Sequence, residues 1–131
     1  MIKIRLNILP PTVTFQDKGV SVRNGKPILY DKPELKEVKA KLRAHLSRYQ
    51  PKRKLTGPIE MTTIWEFPVV KDAESDWHTK KPDLDNLNKM LQDQLQDLGF
   101  FENDSQIASL NARKFYSHHP GITITLEELE D

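Results

Sequence analysis

Two hydrophobic periods alternate along the chain. Apolar residues at every second position are typical of strands, and apolar residues at steps of three and four are typical of helices. The first period predicts strands over residues 1–9, 58–70, 106–116 and 121–126. The second period predicts one helix after Asp31 and another from residue 84 to about residue 98. The strand at 58–70 should bury one face, formed by Ile59, Met61, Thr63, Trp65 and Phe67.

A short hairpin completes the predicted fold. Asn24-Gly25 suits the two-residue turn of a hairpin, and Pro27 restricts this small ribbon to an exposed edge. The order is then strand, ribbon, helix, strand, helix, strand, strand. It predicts an α+β protein, a single compact domain over residues 1–131 in which a mixed β-sheet is covered by two main helices.

The first helix has a strongly basic surface. Asp31 is its predicted N-cap, and Pro33 falls in its first turn. The apolar face consists of Leu35, Val38, Leu42 and Leu46. Lys36, Lys39 and Arg43 lie on the remaining surface, where they are either solvated or in contact with DNA phosphates.

Charge is divided unevenly between the two halves of the chain. The chain has 20 Lys and Arg against 19 Asp and Glu, but residues 1–56 hold 14 of the basic residues and only 4 of the acidic ones. A basic half can bind phosphates while an acidic half holds metal ions; alternatively, the halves neutralise one another in the fold. The absence of cysteine excludes disulfides and fits a reducing cytoplasm. No apolar stretch has the length that spanning a membrane requires, so a soluble protein is expected.

Residues 81–89 place two carboxylates and a lysine at the start of the second helix. Pro82 favours an extended residue before it, so Asp83 falls at the N-cap. Asp85 and Lys89 are four residues apart and share one face of the helix. The simplest interpretation is that the acidic residues cap the helix and stabilise its positive end. A second acidic segment, which contains Asp104, favours a metal site instead, because Mg²⁺ is held by carboxylates that converge from different segments.

These two segments resemble a known family. The run Asp-Leu-Asp-Asn-Leu-x-Lys, then a helix, then Gly-Phe-Phe-x-x-Asp-x-Gln-Ile is similar to the two-part motif of the RusA family of Holliday junction resolvases. The resemblance is strongest over residues 81–107. It implies that Asp83, Asp85 and Asp104 are catalytic carboxylates that bind Mg²⁺, with Mn²⁺ as a substitute. It also implies that Lys89 is the lysine of the catalytic site.

The resemblance implies a Mg²⁺-dependent endonuclease that resolves Holliday junctions in recombination and repair by nicking two strands. The expected partner is branched DNA, and the expected location is the bacterial cytoplasm, near the nucleoid, for a bacterial or phage-encoded protein. One departure limits the comparison: the family often has an Asn-Arg pair where this chain has Thr14-Phe15-Gln16. Two alternatives stay open, the same chemistry on other branched or flap DNA, and a non-catalytic DNA-binding protein.

A polar loop over residues 70–81 leads into the acidic motif. It contains Trp77, which either packs back on the protein surface or stacks on an unpaired DNA base. The loop also supplies Lys80 and Lys81, which are expected to bind backbone phosphates.

The length of the second helix predicts a homodimer with shared active sites. A helix over residues 84–98 is about 22 Å long and carries the chain away from Asp85. The five steps from Gly99 to Asp104 recover at most about 17 Å, so Asp104 falls short of Asp83 within one chain. Two such helices, packed antiparallel about a twofold axis, would bring each helix start to the other subunit's copy of this residue. The alternative is a shorter or bent helix that lets the chain return.

Overall fold

The computed structural model describes residues 1–14 and 18–130, and for Lys18 it describes the backbone alone. Within these residues there are two α-helices, α1 (Pro33–Ser47) and α2 (Leu84–Asp97). The strands are β1 (Ile2–Leu6), β2 (Lys18–Arg23), β3 (Lys26–Asp31), β4 (Ile59–Pro68), β5 (Ile107–Ser117) and β6 (Gly121–Glu128). A 3₁₀ turn over Asp104–Gln106 precedes β5. The order of helices and strands is the predicted one.

Four strands form a mixed sheet in the order β1, β6, β4, β5. β6 is antiparallel to both of its neighbours, whereas β4 and β5 are parallel. Parallel neighbours need a crossover connection, and the segment that contains α2 supplies it. The mixed sheet and its two helices confirm the α+β class.

The core lies between the helices and the face of β4 that the alternating pattern predicts. Ile59, Met61, Thr63, Trp65 and Phe67 are buried there, and the residues between them are partly exposed. The helices add Leu35, Leu42, Leu46, Leu87, Leu91 and Leu95 to the same hydrophobic cluster. Because each large apolar side chain contributes about 1.5–3 kcal/mol when it is fully buried, the two leucine stripes hold both helices on the sheet.

The end of α2 turns the chain back towards the site. Gly99 has a φ of +81°, which glycine adopts without steric cost. Its N–H donates to the carbonyl of Gln96, and the N–H of Phe100 donates to the carbonyl of Leu95. These two bonds are the Schellman arrangement that ends many helices. Phe100 and Phe101 are then fully buried, so the segment that carries Asp104 is fixed against the core.

The predicted first strand is too long. β1 ends at Leu6 rather than at residue 9. Its partner β6 begins at Gly121, and Leu6 already pairs with Ile122, so the next residues have almost no ladder to join.

The predicted cap of α1 is wrong. Asp31 is the last residue of β3, and Lys32 occupies the N-cap position without any side-chain capping bond. Asp31 instead accepts a hydrogen bond from Lys39 Nζ at 2.8 Å. Phe15 and Gln16, which stand where the family often has an Asn-Arg pair, lie outside the described residues.

β2 and β3 form a separate ribbon, as predicted. The turn residues Asn24 and Gly25 have positive φ values of 52° and 76°, as a two-residue hairpin turn requires. The ribbon leads directly into α1. None of the helices in the described part of the chain has the length and apolar character needed to cross a membrane.

Ion pairs connect the basic and the acidic halves of the chain. Among the described residues, three ion pairs do so: Arg5–Glu66 at 2.6 Å, Lys54–Glu102 at 2.9 Å and Arg43–Asp97 at 3.8 Å. The two halves therefore neutralise one another in part.

Candidate active site

Two carboxylates are exposed at the start of α2. Asp83 occupies the N-cap position with an extended backbone, but its side chain makes no capping hydrogen bond. The predicted N-cap position of Asp83 is therefore correct, and the predicted hydrogen bonds from its carboxylate to the helix N–H groups are absent. Asp85 Oδ1 accepts a hydrogen bond from the N–H of Asn86 at 3.0 Å. Helix capping does not account for the Asp83 side chain.

Lys89 joins the second acidic segment to α2. Its Nζ lies 2.9 Å from Asp104 Oδ2 and 3.1 Å from Asp93 Oδ1. The hydrogen bond to Asp104, and then the one to Asp93, raises the pKa of the Lys89 ammonium above its ordinary value. The lysine is therefore a permanent cation near neutral pH, one helical turn from Asp85.

The turn that carries Asp104 is held on both sides. The N–H of Asp104 donates to Gln96 Oε1 at 2.9 Å, which ties the turn to the end of α2. Gln106 Oε1 accepts from the N–H of Asn103 at 3.0 Å, and Gln106 Nε2 donates to the carbonyls of Leu55 and Gly57. Gln106 was not among the predicted site residues. The pairing of Asn103 with a glutamine three residues later is a capping-box signal that could have found it.

A buried asparagine sets the rotation of α2 on the sheet. Asn88 Oδ1 accepts hydrogen bonds from Thr63 Oγ1 at 2.7 Å and from Trp65 Nε1 at 3.1 Å. All three side chains are buried. Asp85 and Lys89 of the same helix are exposed. Its role was also missed, since nothing in the sequence distinguishes Asn88 from a surface asparagine of the motif.

Lys114 of β5 supports the segment that leads to Asp83. Its Nζ donates to the carbonyls of Lys80 and Pro82, each at 2.6 Å. Burial lowers the pKa of the Lys114 ammonium, and the nearby Asp83 carboxylate acts in the opposite direction. The lysine thus links the sheet to the backbone on the N-terminal side of Asp83. Its position in an unremarkable strand gave no sequence signal.

His78 packs beneath the same segment. Its ring stacks on Phe67 with centroids 4.2 Å apart and lies 4.8 Å from the ring of Tyr116. The backbone N–H of His78 donates to the carbonyl of Lys114 at 3.1 Å. Burial first, and the charge of Lys114 second, lower the pKa of the His78 imidazole. A neutral imidazole is therefore part of the packing that holds this loop.

Trp77 lies on the other side of the loop and is 56% exposed. Its ring meets the edge of Phe115, with centroids 6.0 Å apart. The tryptophan is thus packed on one edge and open to solvent elsewhere.

The basic residues predicted for DNA binding differ in their surroundings. Lys36, Lys80 and Lys81 are exposed. Lys39 is engaged with Asp31 at 2.8 Å, and Arg43 lies 3.8 Å from Asp97. In the free chain the first three are the more accessible cations.

The structure brings some of the predicted site residues together and keeps others apart. Asp83 and Asp85 share the start of α2, and Asp104 is bound to Lys89. Among the described residues, no three His, Cys, Asp or Glu side chains are close enough to hold a metal ion. Carboxylate oxygens are the ligands that Mg²⁺ prefers. The donor set fits the metal, and its arrangement within one chain does not form a complete site.

Comparison with known proteins agrees with this arrangement of motifs. The family model described as "Endodeoxyribonuclease RusA" matches residues 9–127. The chain is 32% identical over 120 residues to "Crossover junction endodeoxyribonuclease rusA" of Lactococcus phage r1t, covering 88% of this chain and 89% of that protein. It is 30% identical over 121 residues to "Uncharacterized protein YqaN" of Bacillus subtilis (strain 168), covering 83% of this chain and 84% of that one. The chain therefore belongs to the RusA family of endodeoxyribonucleases, which confirms the predicted enzyme class.

Proposed function

We propose that this chain, as one domain over residues 1–131, is a Mg²⁺-dependent endonuclease that resolves four-way DNA junctions by paired nicks. Family membership supports the nuclease chemistry, and the phage relative is named as a crossover junction endodeoxyribonuclease. The observation that carries the proposal is the outward presentation of Asp83, Asp85 and Lys89 along one end of α2. A bacterial or phage-encoded protein that works near the nucleoid fits such a substrate.

Asp83 and Asp85 are the proposed metal ligands at the helix start, with Asp104 as the third carboxylate. Mg²⁺, or Mn²⁺ in its place, would supply charge stabilisation at the scissile phosphate and activation of the attacking water. The contribution of the chain is to hold these carboxylates rigidly. Lys114 fixes the backbone before Asp83, and Gln96 fixes the backbone of Asp104.

Lys89 is the proposed cation for the scissile phosphate. Its raised pKa keeps the ammonium protonated, so it can stabilise the negative charge that develops in the transition state or orient the attacking water. In the free chain this charge is neutralised by Asp104 and Asp93. DNA binding would exchange one of these carboxylates for a phosphate oxygen.

A homodimer is the proposed functional unit. The described residues of one chain do not gather three carboxylates into a metal site, and a second chain can supply the missing ligand. Two symmetric sites also match a substrate in which two strands are cut.

DNA backbone contacts are proposed for Lys36, Lys80 and Lys81, with Lys39 and Arg43 released from their carboxylate partners on binding. Recognition would then rest on branch shape and phosphate charge more than on base sequence. Replacing Lys36, Lys39 and Arg43 together by Glu should reduce the slope of log affinity against log salt by about three. An unchanged slope would place the DNA elsewhere.

The test of the proposed function is a cleavage assay on three matched DNA substrates. A four-way junction, a flap and a linear duplex of the same sequence are each incubated with and without Mg²⁺. We expect paired nicks in the four-way junction with Mg²⁺ and none without it. Preference for the flap would assign the same chemistry to another branched substrate. Binding without cleavage of any substrate would support a non-catalytic DNA-binding protein and contradict the proposal.

A further inference from the structure

The ribbon of β2 and β3 stands apart from the main sheet. Residues 20–30 are all exposed, and within the described residues the two strands pair only with each other. A two-stranded hairpin that packs on nothing is only marginally stable in water. The base is anchored, because Lys39 of α1 binds Asp31 at the end of β3. The tip therefore projects from a fixed base.

One face of the ribbon is apolar up to the tip. Val20 pairs with Leu29, and Val22 pairs with Pro27. Paired residues of an antiparallel ladder lie on the same face. Val22 is 70% exposed and Leu29 is 66% exposed. Apolar side chains that are exposed together in this way indicate a contact surface, whereas single exposed residues do not.

The tip of the ribbon carries two cations that face each other. Arg23 pairs with Lys26 in the last register before the turn, and like charges in opposite positions destabilise a ladder. In the part of the chain that the structure describes, no carboxylate forms an ion pair with either residue. An anion that contacts both side chains would relieve this repulsion.

A second copy of the chain fits this surface less well than DNA does. Stable protein interfaces bury about 800 Å² per partner, and four aliphatic side chains on a narrow ribbon present far less. Two ribbon tips in contact would also bring four cations together. DNA supplies phosphates for Arg23 and Lys26, and it supplies base faces for an apolar wedge, as proteins that insert aliphatic or proline side chains between base steps show.

We infer that the ribbon tip inserts at the branch point of the DNA, with Val22 and Pro27 against an unstacked base step and Arg23 and Lys26 on the flanking phosphates. This inference rests on the proposed function, because the energy of unstacking is smallest where pairing is already interrupted. The ribbon is a sheet of its own and carries none of the three assigned carboxylates, so its inferred role is substrate recognition and not the chemical step.

The test uses a four-way junction with 2-aminopurine next to the branch point, whose fluorescence rises when the base unstacks. The full chain is added without metal, so that no strand is cut. We expect a rise in fluorescence with the unchanged chain. The Val22→Ser/Pro27→Ser variant should lose this rise while its affinity keeps the same salt dependence. The Arg23→Gln/Lys26→Gln variant should lower the slope of log affinity against log salt by about two.

The matched control is Leu9→Ser/Leu110→Ser, which removes two exposed apolar side chains outside the ribbon. It should keep the full rise. If Val22→Ser/Pro27→Ser unstacks the base as well as the unchanged chain, the wedge is wrong, and junction cleavage by that chain still supports the proposed function. If this variant instead turns a dimer into monomers in sedimentation, the occupant is a second copy. If the unchanged chain neither binds nor cuts the junction, the proposed function and this inference both fail.

Discussion

Asp83 and Asp85 carry the most specific chemical expectation at the scale of single residues. Asp85→Asn should abolish junction cleavage in Mg²⁺ and leave binding intact or tighter, because less negative charge then faces the DNA backbone. We expect the single-turnover rate to fall by about 100-fold or more. Asp83→Asn should behave in the same way and should fold normally, since asparagine also suits the N-cap position.

Asp93→Asn is the control for both variants. Asp93 lies on the same outward stripe of α2 and also contacts Lys89, but it is not one of the three assigned ligands. It should keep most of the wild-type rate. Equal activity of the Asp85→Asn and Asp93→Asn proteins would contradict the assignment of Asp85 as a metal ligand.

His78 predicts a pH dependence of stability. Its folded pKa is lowered from 6.5 by burial and by Lys114, so below that pH the unfolded chain binds a proton that the folded chain does not. The free energy of unfolding therefore falls as the pH drops from 6.5 towards the folded pKa. His78→Phe keeps an aromatic ring between Phe67 and Tyr116 and should remove this loss.

The measurement is urea unfolding at about pH 7.5, above the ordinary pKa of histidine, and at about pH 5, below it. His45→Gln, a change on α1 away from this packing, should keep the wild-type difference between the two values. If His78→Phe shows the same difference as the wild type, another group causes the acid sensitivity.

Asn88 determines how α2, as an element, sits on the sheet. Asn88→Ala removes the acceptor that Thr63 Oγ1 and Trp65 Nε1 share in the core. We expect the free energy of unfolding to fall by about 1–3 kcal/mol. Asn86→Ala, on the same helix but only partly buried, should change it much less. Equal effects of the two changes in urea unfolding would show that the buried bonds do not fix the helix.

Lys114 has a similar role for the loop before α2. Lys114→Met removes both hydrogen bonds to the carbonyls of Lys80 and Pro82, so Asp83 should lose its exact placement. A misplaced catalytic group costs about 10- to 100-fold in rate, and we expect a loss in that range with junction binding retained. Arg113→Met, next to it on the exposed side of β5, is the control. If the Lys114→Met protein cleaves the junction at the wild-type rate, the position of the loop does not depend on this lysine.

Local patterns predicted most elements of this fold. The alternation around Trp65, the leucine stripe of α2, the Asn24-Gly25 turn and the end of α2 near residue 98 all depend on residues close together in sequence. They are confirmed. The prediction for Asp31 was wrong because an aspartate before a helix can be either the N-cap or the last residue of a strand.

Long-range contacts were outside the reach of such patterns. Lys114 meets the carbonyl of Pro82, 32 residues away, and Asn88 meets Thr63, 25 residues away. These pairs follow from the parallel arrangement of β4 and β5 and from the rotation of α2, neither of which leaves a periodic signal. The motif thus located the carboxylates, and only the fold identifies what positions them.

At the scale of the whole molecule, α2 uses its apolar side within its own chain. Leu87, Leu91 and Leu95 are fully buried, so the helix offers solvent a polar stripe that contains Asp85, Lys89 and Asp93. Two α2 helices that meet about a twofold axis would therefore pair through charges. Such a contact would be weak on its own and sensitive to salt, and DNA that spans both subunits would strengthen it.

The most direct test of a shared active site mixes two inactive proteins. Asp85→Asn and Asp104→Asn chains are combined, and nicking of a four-way junction is measured in Mg²⁺. If each site takes its helix start from one chain and Asp104 from the other, a mixed dimer has one doubly damaged site and one intact site. We predict that nicking returns, on one strand only, while each protein alone remains inactive. If the mixture stays inactive although mixed dimers form, each chain builds its own site, and the shared arrangement is contradicted.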